Sequence, residues 1–242
     1  MIMMSALTSK VAVITGGSSG IGLATAWAFI AEGAVAVSAD VNSPEDEQID
    51  FVKTDVTDPA SLKHMVDTVV AKYGHIDALV ANAGVAEEKA DVADLNEANW
   101  QKVIDIDLTG VVLTNKYVVQ QMAKQDSGGS VVNMSSILGV VGGPKSQAYS
   151  AAKAGVANYT KSQAVTYATR GIRFNAVAPG YVNTPLLKTL PKETTDAMVG
   201  KMPIGRLAEP EEIANVIVFL SSVKASFVTG AVVSVDGGYT AL

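Results

Sequence analysis

Tyr149 and Lys153, in the segment AYSAAKAG, could transfer a proton together. They are four positions apart, so on a helix they lie one turn apart on the same face. A free phenol has a pKa near 10 and is a poor base at neutral pH. An ammonium about 4 Å from a phenol, at an effective dielectric near 20, lowers the pKa of that phenol by roughly three units. The spacing therefore predicts an acidic phenol that works as a general acid and base.

A glycine-rich turn, in VAVITGGSSGIG, joins a predicted strand to a predicted helix. Gly16 permits a tight turn, Gly20 lets the backbone approach a phosphate, and Gly22 lets the helix and strand pack closely. The N–H groups at the start of the helix would bind a pyrophosphate. No Gly-Lys-Ser/Thr sequence is present, which excludes the ordinary P-loop. The turn predicts a dinucleotide site.

Asp40 closes the second predicted strand, AVAVSAD, nearly twenty residues after Gly22. A carboxylate at this position can accept both hydroxyls of an adenosine ribose and repels a 2′-phosphate. No arginine or lysine stands nearby to offset that repulsion, because Val41 and Asn42 follow Asp40 and the turn holds Gly17, Ser18 and Ser19. We therefore predict NAD rather than NADP.

Short β-branched runs alternate with longer helical stretches along the chain. Several of the runs are apolar almost throughout, which is typical of strands covered by helices on both faces. The predicted strands are 11–15, 34–40, 50–54, 77–81, 130–135, 172–178 and 231–236. The predicted helices are 20–32, 58–73, 96–125, 149–169 and 209–221, two of them opened by Asp58-Pro59 and Glu209-Pro210. The alternation predicts an α/β, doubly wound, parallel sheet in one domain over residues 1–242.

Composition excludes several classes of protein. A net charge of −6 without a basic cluster argues against a nucleic-acid-binding protein. The chain has no cysteine, and its two histidines, His64 and His75, stand apart from any ligand cluster, so we expect no metal. The first ten residues are too short and too weakly apolar for a signal peptide, and no run has membrane-spanning length. We expect a soluble cytoplasmic protein.

Four motifs in order, TGGSSGIG, NAG at 82–84, YSAAK and PG at 179–180, resemble the short-chain dehydrogenase/reductase family in its single-domain, NAD-dependent branch. The resemblance runs from about residue 9 to the C-terminus. It implies a seven-stranded Rossmann-type sheet and catalytic Tyr149 and Lys153. It also implies Ser136 as their partner, thirteen residues before the tyrosine, where it would hydrogen-bond the substrate oxygen.

The resemblance also implies which residues bind the nicotinamide cofactor. Asp55 and Val56 would hold the adenine, and Val182 and Thr184 would contact the nicotinamide carboxamide. The full set of implied cofactor residues is Gly16, Ser18, Ser19, Gly20, Ile21, Gly22, Asp40, Asp55, Val56, Asn82, Ala83, Gly84, Tyr149, Lys153, Pro179, Gly180, Val182 and Thr184.

Asp107 departs from the pattern of the family, which usually has asparagine at this position in a proton relay to the lysine. Asp107 could keep the main-chain part of that role, while its carboxylate could also add negative charge near Lys153. Because the other three catalytic positions are intact, we expect the relay to survive. A structural aspartate in a kinked helix is an equal alternative.

The implied reaction interconverts a secondary alcohol and a ketone by hydride transfer. The residues expected to face the substrate are mostly apolar or uncharged, and they favour a small neutral molecule. They are Val85, Ile137, Leu138, Tyr181 and parts of 185–202. Residues 184–202 form either a surface excursion or a lid over the site. Two other functions remain open: a 3-oxoacyl-carrier-protein reductase, which usually prefers NADP, and a non-catalytic NAD(H) redox sensor.

The family resemblance also suggests a homotetramer. Helices 96–125 and 149–169 would pair between subunits, and the segment around VTGAVVSVDGG would form a second interface. A monomer that buries these helices internally is the alternative.

Overall fold

A seven-stranded, fully parallel sheet forms the centre of the protein, whose computed structural model describes residues 7–188 and 190–241. The order of the strands is β3-β2-β1-β4-β5-β6-β7. Their bounds are β1 Val11–Thr15, β2 Val35–Asp40, β3 Asp50–Lys53, β4 Ala78–Ala81, β5 Gly129–Met134, β6 Ile172–Pro179 and β7 Val232–Val235. The seven predicted strands and the Rossmann-type sheet are confirmed.

The strand sequences form this sheet because both of its faces are buried. Alternate side chains of a strand point to opposite faces. In β1, Val13 packs into the core on one face of the sheet, and Ile14 packs into the core on the other. In β4, Leu79 and Val80 divide in the same way. A strand of this kind must be apolar at every position, as the sequence pattern indicated.

Eight α-helices are present among the described residues. α1 and α8 cover one face of the sheet, whereas α2, α4 and α5 contribute to the core on the other. Two helices begin at predicted signals: Asp58 accepts a hydrogen bond from the N–H of Ala60, and Glu209 forms a capping box with Glu212. The bounds are α1 Gly20–Ala31, α2 Pro59–Tyr73, α3 Glu97–Ile104, α4 Val111–Met122, α5 Ala148–Tyr167, α6 Pro185–Lys188, α7 Lys192–Val199 and α8 Pro210–Ser221.

The helix predicted over 96–125 is wrong as one continuous element. A six-residue π-helical segment, Asp105–Gly110, separates α3 from α4, and α4 ends at Met122. Gly110 lies against the loop that follows β3. A Cβ on Gly110 would come within 2.8 Å of a methyl group of Val56. Hydrophobic periodicity does not reveal a π-helical segment of this kind, because the apolar positions before and after it keep helical spacing.

Residues 184–202 contain two short helices, α6 and α7, which the sequence did not predict. Thr189 lies outside the described residues, as do residues 1–6 and Leu242 of the expected domain. Among the helices that the structure describes, none is long and apolar enough to cross a membrane.

Candidate active site

A cleft of about 620 Å³ opens at the carboxyl ends of the strands, next to β1 and β4. These two strands are neighbours in the sheet, and the strand order reverses between them. In open parallel sheets this switch point is where ligands bind. Every site residue predicted from the sequence lines the cleft except Ser18 and Gly22. The fold therefore brings together residues that are spread from position 16 to position 184 of the chain.

The glycine turn has the geometry that an anion needs. Gly16 and Gly20 have φ values of +64° and +51°, which residues with a side chain rarely adopt. A Cβ on Gly22 would collide with the carbonyl oxygen of Gly16, so Gly22 serves the packing of α1 on the turn rather than the cleft. α1 begins at Gly20 without a side-chain cap from Ser19 and without an acidic residue in its first turn. Its N–H groups are thus free of side-chain acceptors and fit a pyrophosphate.

Asn82 fastens the end of β4 to the glycine turn. Its side-chain amide donates to the carbonyl oxygens of Thr15, at 3.0 Å, and Gly16, at 3.1 Å. Its backbone N–H donates to the hydroxyl of Thr15 at 3.0 Å. These bonds fix the part of the cleft wall at the end of β4 to the glycine turn.

Asp40 stands at the end of β2 and is held by backbone donors. The N–H of Ser18 donates to Asp40 Oδ2 and the N–H of Asn42 to Asp40 Oδ1, both at 3.1 Å. Each carboxylate oxygen keeps capacity for another donor. Ser18 turns away from the cleft, because its hydroxyl donates to the carbonyl oxygen of Asn42 at 2.7 Å. Among the described lining residues the cations are Lys89 and Lys153, and neither belongs to the strand ends of β2 or β3.

The Tyr149–Lys153 pair lies on the first turns of α5. Lys153 is 3% exposed, and its Nζ is 5.3 Å from the centroid of the Tyr149 ring. The ammonium donates to the carbonyl oxygen of Met134 at 3.2 Å, and the hydroxyl of Ser135 donates to the Lys153 carbonyl oxygen at 2.9 Å. The end of β5 thus holds both the backbone and the side chain of the lysine.

Ser136 follows β5 and lines the same cleft. It is 7% exposed, and its hydroxyl oxygen accepts a hydrogen bond from the N–H of Leu138 at 3.2 Å. Because the oxygen already has a backbone donor, the hydroxyl proton is available to an acceptor in the cleft.

Asp107 forms a buried ion pair with Lys153. Its carboxylate is fully buried, with Oδ2 3.1 Å from Lys153 Nζ and Oδ1 accepting from the N–H of Val85 at 2.8 Å. Oδ2 has no well-directed hydrogen bond within the described chain, so the contact is chiefly electrostatic. Burial lowers the pKa of Lys153, but the charges of Asp107 and Tyr149 outweigh burial and raise that pKa overall. Lys153 is therefore held protonated at neutral pH.

Gly84 lies directly beside this ion pair. A Cβ on Gly84 would lie 2.8 Å from Asp107 Oδ2 and 3.4 Å from Lys153 Nζ. The loop after β4 therefore packs directly against the two charged groups.

Glu87 belongs to the site but was not predicted from the sequence. This residue lines the cleft, and its Oε2 accepts hydrogen bonds from the N–H groups of Gln147, at 2.9 Å, and Tyr149, at 3.0 Å. One signal was available: the position before α5 holds Gln147, which is a poor N-cap, so the helix needs an acceptor from elsewhere. Nothing in the sequence names Glu87 as that acceptor.

A buried polar network behind the site was also missed. The side-chain amide of Asn115 donates to Asn133 Oδ1 at 2.8 Å, and the amide of Asn133 donates to the Thr160 hydroxyl at 3.0 Å. The three residues belong to α4, β5 and α5, so the network fixes α5 against the sheet. No group of three or more His, Cys, Asp or Glu side chains suited to a metal occurs within residues 7–188 and 190–241.

A family model described as enoyl-(acyl carrier protein) reductase matches residues 16–240. The chain is 51% identical to a cis-4-hydroxycyclohexanecarboxylate dehydrogenase of Sinomonas cyclohexanicum, over 99% of this chain and 100% of that one. It is 41% identical to a 3-oxoacyl-[acyl-carrier-protein] reductase of Thermotoga maritima, over 96% and 98% of the two chains. The structure of aldohexose dehydrogenase from Thermoplasma acidophilum superposes with a TM-score of 0.93 at 32% identity, covering 99% and 97%.

Proposed function

The chain belongs to the short-chain dehydrogenase/reductase family and is an oxidoreductase of alcohols and carbonyl compounds; we propose that it uses NAD and a Ser136–Tyr149–Lys153 acid–base set. The observation that carries the proposal is the meeting of these three side chains with the anion-binding turn in one cleft. A redox sensor would need the turn but not a buried, protonated lysine beside a phenol.

The dinucleotide supplies the hydride acceptor for alcohol oxidation and the hydride donor for ketone reduction. Tyr149 takes the proton of the alcohol hydroxyl during oxidation and returns it to the alkoxide during reduction. The ammonium of Lys153 lies 5.3 Å from the centroid of the Tyr149 ring, next to the phenol that exchanges this proton. The hydroxyl of Ser136 donates a hydrogen bond to the substrate oxygen and so holds that oxygen near the phenol.

The chain offers a binding group for each part of the dinucleotide. The N–H groups at the start of α1 would bind the pyrophosphate, and Asp40 would accept the hydroxyls of the adenosine ribose. Asp55 and Val56 would flank the adenine, while Val182 and Thr184 would contact the carboxamide.

The charge at the adenosine end favours NAD over NADP. The lining there includes two carboxylates, Asp40 and Asp55, and its described residues include no arginine or lysine. A 2′-phosphate would meet this negative charge without a cationic partner.

The substrate end of the cleft is mostly apolar and favours a neutral cyclic or secondary alcohol. Its walls include Val85, Ile137, Leu138, Tyr181 and Leu187. A hydrophobic cleft of this kind would take a ring or an alkyl group and leave one oxygen for Ser136 and Tyr149.

Lys89 favours a second candidate, an alicyclic hydroxy acid such as the relative from Sinomonas oxidises by its name. Its exposed ammonium lines the cleft and could pair with a substrate carboxylate. A 3-oxoacyl thioester is a third candidate substrate, because the relative from Thermotoga is named as a reductase of such compounds. A reductase of this kind that prefers NADP is disfavoured by the negative charge around Asp40.

Two structural features complete the proposal. The segment 184–202, which places Leu187 in the cleft wall, would serve as the substrate lid. The protein would work as a homotetramer, with α4 and α5 in one interface and the region of β7 in the other.

A substrate panel read by nicotinamide absorbance tests the proposed function. It contains cyclohexanol, 4-hydroxycyclohexanecarboxylate and acetoacetyl thioester with the matching form of NAD and NADP. We expect the highest kcat/KM with cyclohexanol and NAD. A preference for the carboxylated ring would select the hydroxy-acid alternative, a preference for the thioester the reductase alternative, and a preference for NADP would contradict the role of Asp40.

A further inference from the structure

Helix α5 carries the reacting phenol but lacks a local cap. Gln147 precedes the helix and makes no side-chain hydrogen bond to it, and the first turn contains no acidic residue. The first N–H groups of a helix have no partner within the helix and need acceptors from outside. Tyr149 is the second residue of α5, so its own N–H is one of these donors.

Glu87 supplies the missing acceptor from 60 residues earlier in the chain. A single oxygen, Oε2, accepts from Gln147 at 2.9 Å and from Tyr149 at 3.0 Å. An anionic acceptor is favoured at this position twice, by the charge-assisted bonds and by the positive end of the helix dipole.

The loop that carries Glu87 contacts the other half of the catalytic pair as well. Gly84 lies against the Asp107–Lys153 ion pair, and the N–H of Val85 donates to Asp107. At its far end, the side-chain amide of Gln147 donates to the carbonyl oxygen of Ala90 at 3.1 Å. The loop is thus fastened at three points between the lysine and the start of α5.

We propose that Glu87 is a positioning residue for Tyr149, an inference that rests on the proposed function. By holding the backbone of Tyr149 to the loop that lines the substrate end of the cleft, Glu87 fixes the phenol relative to the bound substrate. A displacement of about 1 Å at a reacting group can cost about 100-fold in rate. The bond should therefore affect kcat far more than cofactor binding.

Three substitutions separate the geometry of this acceptor from its charge. Glu87→Ala removes both bonds, Glu87→Asp draws the carboxylate back by one methylene, and Glu87→Gln keeps an oxygen of the same reach. Glu88→Ala is the matched control, because Glu88 lies on the same loop and its carboxylate accepts from Asn96 rather than from α5.

We expect Glu87→Ala and Glu87→Asp to lower kcat by about 10- to 100-fold, with KM for NAD changed by less than about twofold. Glu87→Gln should recover most of kcat, and Glu88→Ala should behave as the unmodified protein. Hydrogen–deuterium exchange at the amides of Gln147 and Tyr149 should accelerate in the Ala and Asp variants only.

An unchanged kcat despite faster exchange would overturn the proposal and reduce Glu87 to a structural cap, as would a Glu87→Gln variant as slow as Glu87→Ala. If the Ala variant does not fold, the comparison of Asp with Gln decides. Absence of turnover in the unmodified protein on the whole panel would contradict the proposed function instead, and the exchange rates would still show whether Glu87 holds the backbone of Tyr149.

Discussion

At the scale of single residues, Asp107 changes the electrostatics of the site. Where the family pattern has a neutral amide, this chain has a carboxylate 3.1 Å from the lysine ammonium. A buried ammonium without a counter-charge tends to lose its proton. Asp107 opposes that loss, so the protonation of Lys153 depends on a residue outside the Ser–Tyr–Lys set.

Asp107→Asn tests this dependence through the pH profile. Burial lowers the pKa of Lys153 and Asp107 raises it, so removal of the carboxylate lets the ammonium lose its proton at lower pH. We expect the alkaline limb of kcat/KM to move to lower pH, with turnover at neutral pH within about tenfold of the unmodified protein if the relay survives. The pH–rate profiles of the two proteins measure the shift.

Asp105→Asn is the control for this change, because Asp105 belongs to the same π-helical segment and bonds to Gln101 at its surface. Superimposable profiles for the Asp107 variant and the unmodified protein would show that the ion pair does not control Lys153. A gain in turnover of several orders of magnitude would show that the carboxylate cripples the site.

Some residues of the site could be predicted from the sequence because their chemistry is local. Tyr149 and Lys153 are one helical turn apart, and Asp40 stands at a fixed distance from the glycine turn. Glu87 could not, because its partners on α5 are 60 and 62 residues away and no periodicity links them. Asp107 was singled out, but its direct contact with Lys153 became apparent only in three dimensions.

At the scale of elements, the π-helical segment and the loop after β4 build the floor of the site together. The segment presents Asp107 inward, and the loop passes over it with a glycine at the point of contact. π-Turns are frequent at functional sites because they redirect one side chain without ending the helix. The strands followed from their apolar composition and the starts of α2 and α8 from their capping residues, whereas this π-helical segment did not follow from the sequence.

Gly84→Ala tests how closely these two elements must approach. The added methyl group would lie 2.8 Å from Asp107 Oδ2, closer than van der Waals contact allows. We expect a loss of kcat of about tenfold or more, because the ion pair must separate or the loop must rise. Steady-state kinetics measure the loss.

Gly142→Ala provides the comparison, since a Cβ at Gly142 meets nothing within 4 Å. Gly142 lies in the loop between β5 and α5. Equal activity of the two variants would mean that the loop after β4 adapts and that its close approach is not needed.

At the scale of the whole molecule, apolar side chains remain exposed where the family resemblance places an interface. Phe227, just before the segment of β7, is fully exposed, and Val223 is 69% exposed. An interface at this surface would remove the apolar side chain of Phe227 from water, so the proposed contact can be tested there. Assembly was expected from the family resemblance and stays a prediction.

Phe227→Asp should break the interface around β7. If the protein assembles through this surface as proposed, we expect the variant to sediment as a smaller species than the unmodified protein, because a charge would be buried at each copy of the contact. Val92→Asp, which replaces another exposed valine outside both expected interfaces, should leave the assembly intact. Identical sedimentation of the Phe227 variant and the unmodified protein would place the interface elsewhere.

Tyr149 is proposed to transfer the proton that accompanies hydride transfer, and Tyr149→Phe removes the hydroxyl that this transfer needs. Tyr159→Phe is the control, because Tyr159 lies on the same helix and burial raises its pKa to about 12, away from any acid–base use at neutral pH. We expect Tyr149→Phe to bind NADH, as measured by fluorescence, and to lose at least about 100-fold in kcat, while Tyr159→Phe keeps full activity. A Tyr149→Phe variant that binds NADH and turns over within about tenfold of the unmodified protein would show that another group transfers the proton.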